Sequence, residues 1–238
     1  MNQYAKLKKI IDTSQRIVVF TGAGISVPSG IPDFRSAHGV YDQPYGKYTP
    51  EEMISHSFFM KNPKLFFEFY GTKMVYRSAK PNVAHEYFSN LPNVSAVVTQ
   101  NIDGLHQMAG SRNVFELHGS IHRNYCMKCH KFFSLSDINP CVPTFCSCGG
   151  LIKPDVVLYE EPLDCKVIYP AIDEIASADC LIIVGTSLVV YPAAAYINYF
   201  KGKHKILINK SSTAFDEQAD LVFNEDIIEV VEKIKALE

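Results

Sequence analysis

The stretch Arg16-Ile17-Val18-Val19-Phe20-Thr21-Gly22-Ala23-Gly24-Ile25-Ser26 decides the fold. Four consecutive apolar residues, Ile17 to Phe20, end abruptly at a glycine-bearing turn. A short apolar run with no polar alternation, closed by glycine, is the pattern of a strand buried on both faces. The same pattern recurs at 94–99, 114–117, 180–185, 205–209 and 220–223. Helix-like stretches lie at 2–12, 83–90, 168–177, 192–201 and 226–236. Strands alternating with helices predict an α/β domain whose parallel sheet is covered on both faces.

Two segments break that rhythm. Residues 36–80 contain no strand-like run and carry Phe58, Phe59, Phe66, Phe67 and Phe69, which predicts helices around an aromatic core. Residues 122–154 gather five of the seven cysteines with Pro140, Pro143 and Gly149-Gly150. Both read as inserts into the α/β domain. The expected division is 1–35, 86–121 and 155–238 for the sheet domain, 36–85 for a helical module and 122–154 for a cysteine module.

Composition narrows the function classes. The 238 residues are 47% hydrophobic and 20% charged, with no Trp but 15 Phe and 13 Tyr, which is a globular composition. The formal charge of −2 provides no general attraction for nucleic acid, so no direct nucleic-acid binding is expected. No apolar run reaches the length of a membrane span or of a signal-peptide core, so the reading is a cytoplasmic protein without membrane attachment. An odd, clustered set of cysteines argues against a secreted disulfide framework.

Chemistry-bearing residues gather at the expected strand ends. Gly22-Ala23-Gly24 lets a backbone turn tightly beside a pyrophosphate, although Val27 stands where G-x-G-x-x-G has its last glycine. An ordinary strand-to-helix turn would look the same. No P-loop signature occurs. The loop goes on as Val27-Pro28-Ser29-Gly30-Ile31-Pro32-Asp33-Phe34-Arg35, where two prolines and a glycine oppose a long helix. After the 94–98 strand comes Gln100-Asn101-Ile102-Asp103-Gly104, whose amides and carboxylate suit a carboxamide. His118, at another strand end, has the chemistry of a general base. Thr186 and Ser187 follow Gly185 with two hydroxyls able to bond phosphate or ribose.

Cys126-x2-Cys129 and Cys146-x-Cys148, separated by 16 residues, offer two close thiolate pairs of the kind that binds tetrahedral zinc. Cys141 could replace a member of the second pair. Four cysteine ligands leave no open position, so the metal would be structural. Cys165 and Cys180 show no partner spacing and read as packing residues.

Taken together, Gly22-Ala23-Gly24-Ile25-Ser26, Gly30-Ile31-Pro32-Asp33-Phe34-Arg35, the 99–106 stretch, His118-Gly119, the four cysteines, Lys153-Pro154-Asp155 and the 185–192 stretch resemble the sirtuins, the Sir2 family of NAD-dependent protein lysine deacylases, in their compact bacterial or archaeal form. The resemblance spans residues 22 to about 210. It implies a Rossmann-like sheet with a helical and a zinc module, and NAD and zinc as cofactors. Acyl-lysine proteins or peptides would be the partners. It places Ala23 and Val27 along the diphosphate and Phe34 and Arg35 in a cofactor loop. Gln100, Asn101, Ile102 and Asp103 would surround nicotinamide and its ribose, while Thr186, Ser187, Asn209 and Ile227 would hold the adenosine half. His118 and Asn101 would be catalytic, and Val157, Tyr159 and Val190 would flank the acyl-lysine peptide.

The chain departs from the family pattern twice. Tyr159-Glu160-Glu161 replaces an aromatic-Gly-Glu, which sets an added carboxylate near the substrate. Tyr70-Gly71-Thr72-Lys73 replaces the Tyr-x-x-Arg of members that prefer acidic acyl groups, which predicts acetyl-lysine over succinyl-lysine. Other readings of the same pocket are a mono-ADP-ribosyltransferase or NAD glycohydrolase, and a non-enzymatic NAD-sensing zinc module.

Overall fold

A computed structural model describes residues 2–34, 39 and 45–237. Among the described residues nine strands form two sheets: β1 Ile17–Thr21, β2 Val94–Thr99, β3 Val114–Glu116, β4 Gly119–Cys126, β5 Phe132–Ser134, β6 Ile152–Val156, β7 Cys180–Val184, β8 His204–Ile208 and β9 Leu221–Phe223. The larger sheet has the order β3-β2-β1-β7-β8-β9, parallel throughout. Counted within that sheet, the order is 3-2-1-4-5-6, the doubly wound arrangement that binds ligands at its switch point. Here the switch point lies between β1 and β7.

Every residue of β1 and of β7 is buried, as the unbroken apolar runs predict. Alternate side chains feed two cores. Ile17, Val19, Ile182, Val184 and Ile206 pack beneath α1 Gln3–Thr13, α5 Val83–Asn90 and α8 Ile227–Lys235. Val18, Phe20, Val98, Leu181 and Ile183 pack beneath α7 Cys165–Ser177 and the 3-10 helix Ala193–Tyr199. In α8 the buried residues Ile227, Val230, Val231 and Ile234 follow the helical period, and Asp226 caps the Ile228 amide at 2.8 Å.

The aromatic segment folds into α2 Pro50–Met53, α3 His56–Lys61 and α4 Pro63–Lys73. Edge-to-face rings, such as Phe59 against Phe66 at 4.9 Å, form its core together with Ile121, Leu135, Val156 and Leu158. Leu135 and the partly buried Leu151 belong to residues 122–154, and Ile121, Val156 and Leu158 flank them, so the helical module packs directly on the cysteine module. The sequence boundary expected at 85/86 falls inside α5, and Ala84, Tyr87 and Phe88 of that helix all pack on the large sheet. The antiparallel order β5-β4-β6 carries the cysteines. The short α6 Leu105–Met108 follows β2. Among the described residues no helix is long and apolar enough to cross a membrane.

Candidate active site

The turn after β1 and the turn after β7 touch backbone to backbone. Gly24 N–H donates to the Gly185 carbonyl at 2.8 Å, and Gly22 N–H donates to the Val184 carbonyl at 3.0 Å. A Cβ on Gly24 would lie 2.7 Å from the Gly185 Cα, and one on Gly22 would lie 2.7 Å from the Thr186 Cβ. The two glycines therefore serve loop-to-loop packing first. Among the described residues only the Ala23 amide in this turn has no carbonyl partner, and Ala23 lines the cavity. The expected shaped loop starts as a 3-10 helix, Ala23–Ser29, which contains Pro28 and ends at Gly30 with φ 84°.

A cavity of about 700 Å³ opens at this switch point, a volume usual for small-molecule sites. Ala23, Val27, Phe34, Gln100, Asn101, Ile102, Asp103, His118, Thr186, Ser187, Asn209 and Ile227 all line it, as do Lys73, Val157, Tyr159 and Val190. Arg35 lies outside the described residues. Tyr70 corrects an expectation: it is not on the cavity wall. Its side chain is fully buried, stacked on Phe66 at 5.7 Å, and among the described residues its hydroxyl has no partner. Burial without a partner pushes its pKa up.

One end of the cavity is a fixed polar cluster. Ser26 Oγ donates to Asp103 Oδ2 at 2.7 Å, and Asn101 Nδ2 donates to Ser26 Oγ at 3.2 Å and to the Gly22 carbonyl at 3.1 Å. The Leu105 amide donates to Asp103 Oδ1 at 2.8 Å. Burial raises the Asp103 pKa, against these hydrogen bonds. Ser26 stood in the sequence motif without a role; its hydroxyl, four residues beyond the first glycine, was the available signal.

His118 is set differently. Its Nδ1 lies 2.9 Å from the Gln100 carbonyl, which can only accept, so Nδ1 carries the proton. The lone pair of Nε2 is left to the cavity that His118 lines. Burial lowers its pKa, partly offset by the Gln100 bond, so the neutral ring is favoured. Gly119 follows with φ 77°, and a Cβ there would sit 1.8 Å from the Asp155 carbonyl oxygen. Only glycine lets β4 start against β6 directly after the histidine.

The other end carries Thr186, Ser187 and Asn209. Thr186 Oγ1 accepts from Gln100 Nε2 at 3.3 Å and from the Leu188 amide at 3.2 Å. Along the expected peptide strip, Val157 N–H bonds the His118 carbonyl at 3.0 Å, and Tyr159 pairs with Ile54 and His56 through its amide and carbonyl. The Val190 amide has no internal partner among the described residues. Glu160, with φ 74°, occupies the left-handed position that favours glycine, and its carboxylate accepts from Ser57 N at 2.8 Å and Ser57 Oγ at 2.9 Å. The added carboxylate is thus spent on the first turn of α3. Glu161 anchors the same turn through Lys153, His56 and the Leu158 amide.

The Sγ atoms of Cys126, Cys129, Cys146 and Cys148 all lie within 4.8 Å of one another. Two pairs stand at 3.4 Å and 3.7 Å, near the ~3.8 Å edge of a tetrahedron with Zn–S bonds of about 2.3 Å. The donor set fits zinc. Cys141 is elsewhere, against α4, where a Cβ on Gly71 would lie 2.5 Å from its Sγ.

The profile of the Sir2 family matches residues 22–192. The chain belongs to the Sir2 family. A protein of Clostridium perfringens, named an NAD-dependent protein deacetylase, is 57% identical over 236 residues, covering 96% of this chain and 97% of its own. One of Clostridium acetobutylicum with the same name is 52% identical, covering 98% of both chains. Among solved structures, a Sir2 complex with a deacetylated p53 peptide and 3'-O-acetyl-ADP-ribose superposes with a TM-score of 0.89 at 34% identity, covering 99% of this chain and 98% of that one. A Sir2–p53 peptide–NAD+ complex gives 0.86 at 35% identity, covering 100% and 98%.

Proposed function

We propose that this sirtuin is an NAD-dependent protein lysine deacetylase. The observation that carries the reading is the His118 ring, pinned through Nδ1–H to the Gln100 carbonyl with Nε2 free toward the cavity. NAD supplies a ribose carbon that loses nicotinamide readily and can accept the acyl oxygen. The glycine turn with Ala23, together with Thr186, Ser187 and Asn209, would bind the cofactor's phosphate and adenosine parts. Asn101, Asp103 and Ser26 would bind the carboxamide and ribose, with Ile102 beside them. His118 Nε2 would then take a proton from a ribose hydroxyl as that oxygen attacks the acyl carbon. The products are free lysine, nicotinamide and 2'-O-acetyl-ADP-ribose. Val157, Tyr159 and Val190 would flank the peptide, with the Val190 amide available for a strand-like bond. Four metal-poised thiols suit a reducing compartment, and the cytoplasm is the proposed location.

Mass spectrometry of the protein incubated with acetyl-peptide and NAD tests this reading. The expected signal is acetyl-ADP-ribose equal in amount to deacetylated peptide. ADP-ribosylated protein, or ADP-ribose with the acetyl-peptide intact, would replace it with the transferase or glycohydrolase reading. Binding without turnover would leave the sensing module.

The acyl preference follows from α4. Positions 70 and 73 are about 60° apart around the helix axis, enough to turn Tyr70 into the core while Lys73 lines the cavity. A lone ammonium cannot form the two parallel bonds that a guanidinium offers a carboxylate. Acetyl-peptide is therefore expected over succinyl-peptide in kcat/KM. Lys73→Arg should raise the succinyl-to-acetyl ratio roughly tenfold, the value of one charge-assisted bond. An unchanged ratio would remove Lys73 from the acyl pocket.

A further inference from the structure

Behind the polar cluster lie two imidazoles that the reaction does not use. His85 of α5 and His106 of α6 are both buried, with ring centroids 4.8 Å apart and an interplanar angle of 62°. The partners of each ring fix its proton. The Asn82 backbone N–H points to His85 Nδ1 at 3.3 Å, and an amide can only donate, so His85 is protonated at Nε2. Thr21 Oγ1 gives its hydrogen to Thr99 Oγ1 at 2.8 Å and lies 3.0 Å from His106 Nε2, so His106 Nε2 is the donor of that pair. Each ring then has one atom left over. Among the described residues His85 Nε2 and His106 Nδ1 are buried without a partner. One is an N–H lacking an acceptor and the other a lone pair lacking a donor, on adjoining rings. Burial holds His85 near pKa 4 and His106 near 3, so neither ring is charged at neutral pH.

Both ends of this row are bonded to segments that carry cavity residues. Asn82 Nδ2 donates to the Ile25 carbonyl at 2.8 Å and to Ser29 Oγ at 2.9 Å, tying down the 3-10 helix after β1. At the other end Thr99 Oγ1 accepts the Asn101 amide at 3.0 Å, next to the Asn101 side chain that bonds Gly22 and Ser26. We infer that His85 and His106 are positioning residues: two neutral rings in edge-to-face contact, each hydrogen-bonded on its outer side, which couple Asn82 to Asn101 through packing at the ring contact and through Thr21 and Thr99. The row holds the nicotinamide-side amide and the cofactor turn in one register. A ring that only filled space would need neither proton in a fixed place.

The inference rests on the deacetylase reading for its kinetic consequence but not for its geometry, so two measurements separate them. Long-range ¹H–¹⁵N correlation of the imidazoles in the full chain, assigned with single-site variants, should show His85 and His106 both protonated at Nε2 with slowly exchanging N–H, and His118 protonated at Nδ1. A proton on Nδ1 of either buried ring, or an imidazolium at neutral pH, would overturn the row whether or not the protein is active. Kinetically, His106→Phe keeps the shape and removes the donor to Thr21, while His106→Gln restores an N–H near the Nε2 position. His106→Phe should lower kcat/KM for NAD about tenfold, with peptide KM within about twofold, and His106→Gln should recover most of the loss. Thr21→Val cuts the row from its other end and should reproduce the NAD effect if His106→Phe does not fold. Equal rates for the Phe and Gln variants, or an unaltered Thr21→Val enzyme, would overturn the positioning role. An inactive wild type with the expected imidazole protons would count against the deacetylase reading alone.

Discussion

Replacing His118 with alanine should lower deacetylation by about 10²–10⁴-fold, the usual cost of losing a general base. The proposed proton acceptor is Nε2 of a cavity-lining ring whose other nitrogen is committed to the Gln100 carbonyl at 2.9 Å. Asp103 is held in the polar cluster instead, where its two oxygens accept from Ser26 and from the Leu105 amide. NAD affinity should change little, since the glycine turn, Thr186, Ser187 and Asn209 stay in place. Titration calorimetry with NAD beside steady-state kinetics would separate the two effects. A His118→Ala protein that deacetylates at near the normal rate would remove the residue from the chemistry.

The same geometry sets a pH dependence. His118 must be neutral to act, and burial lowers its pKa below the ordinary imidazole value near 6.5. Activity is full above the depressed pKa and falls as the ring is protonated. The acid limb of kcat/KM should therefore have its midpoint below pH 6.5 and should move when Gln100 is displaced. A limb centred above 6.5 would mean that a nearby negative charge, rather than burial, dominates the site.

How much of this was legible depended on what organises each region. β1 and β7 were plain in the sequence because burial on both faces leaves apolar residues along them, apart from the hydrogen-bonded Thr21 at the end of β1. The ligand-facing ends were plain too, since polar residues directly after such runs have no other place to go. The start of α7 was harder. Asp164 caps the Lys166 amide at 2.9 Å, so the helix begins at Cys165 rather than at 168, and Pro170 sits inside it. The 192–201 stretch forms a 3-10 helix over Ala193–Tyr199. Tyr70 shows a different limit. Its pairing with Lys73 was implied by the resemblance to members with Tyr-x-x-Arg, and a motif match does not say where the boundary between core and cavity crosses a helix. The three strands of the cysteine module gave almost no signal, because β5 and the outer part of β4 are partly exposed and no long apolar run marks them.

That weak signal has a physical consequence: Cys148→Ser should cost the protein its metal and much of its order, while Cys141→Ser should leave zinc near one per chain. The module's own core consists of Cys126, Ile138, Cys146 and Ile152, and two of these four belong to the four-thiol cluster that could hold the metal. So little apolar surface cannot offset the entropy of ordering the loops, so binding free energy of the metal must supply folding free energy. Packing at the site is equally committed to it, since a Cβ on Gly150 would fall 2.5 Å from Cys126 Sγ. The damage should also spread. Ile121 and Leu135 are shared with the aromatic core of the helical module, and Arg77 donates to the Leu135 and Ile138 carbonyls at 3.0 Å each. Loss of zinc should therefore loosen the seat of α4 and with it the Lys73 side of the cavity, raising peptide KM in whatever fraction stays folded. Cys141 is outside this economy: its amide bonds Asn139 Oδ1 at 3.0 Å, and its side chain meets α4 rather than the other thiols. Elemental analysis for zinc with a thermal melt on each variant decides the matter. Full zinc in Cys148→Ser together with metal-free Cys141→Ser would show that Cys141, and not Cys148, completes the tetrahedron.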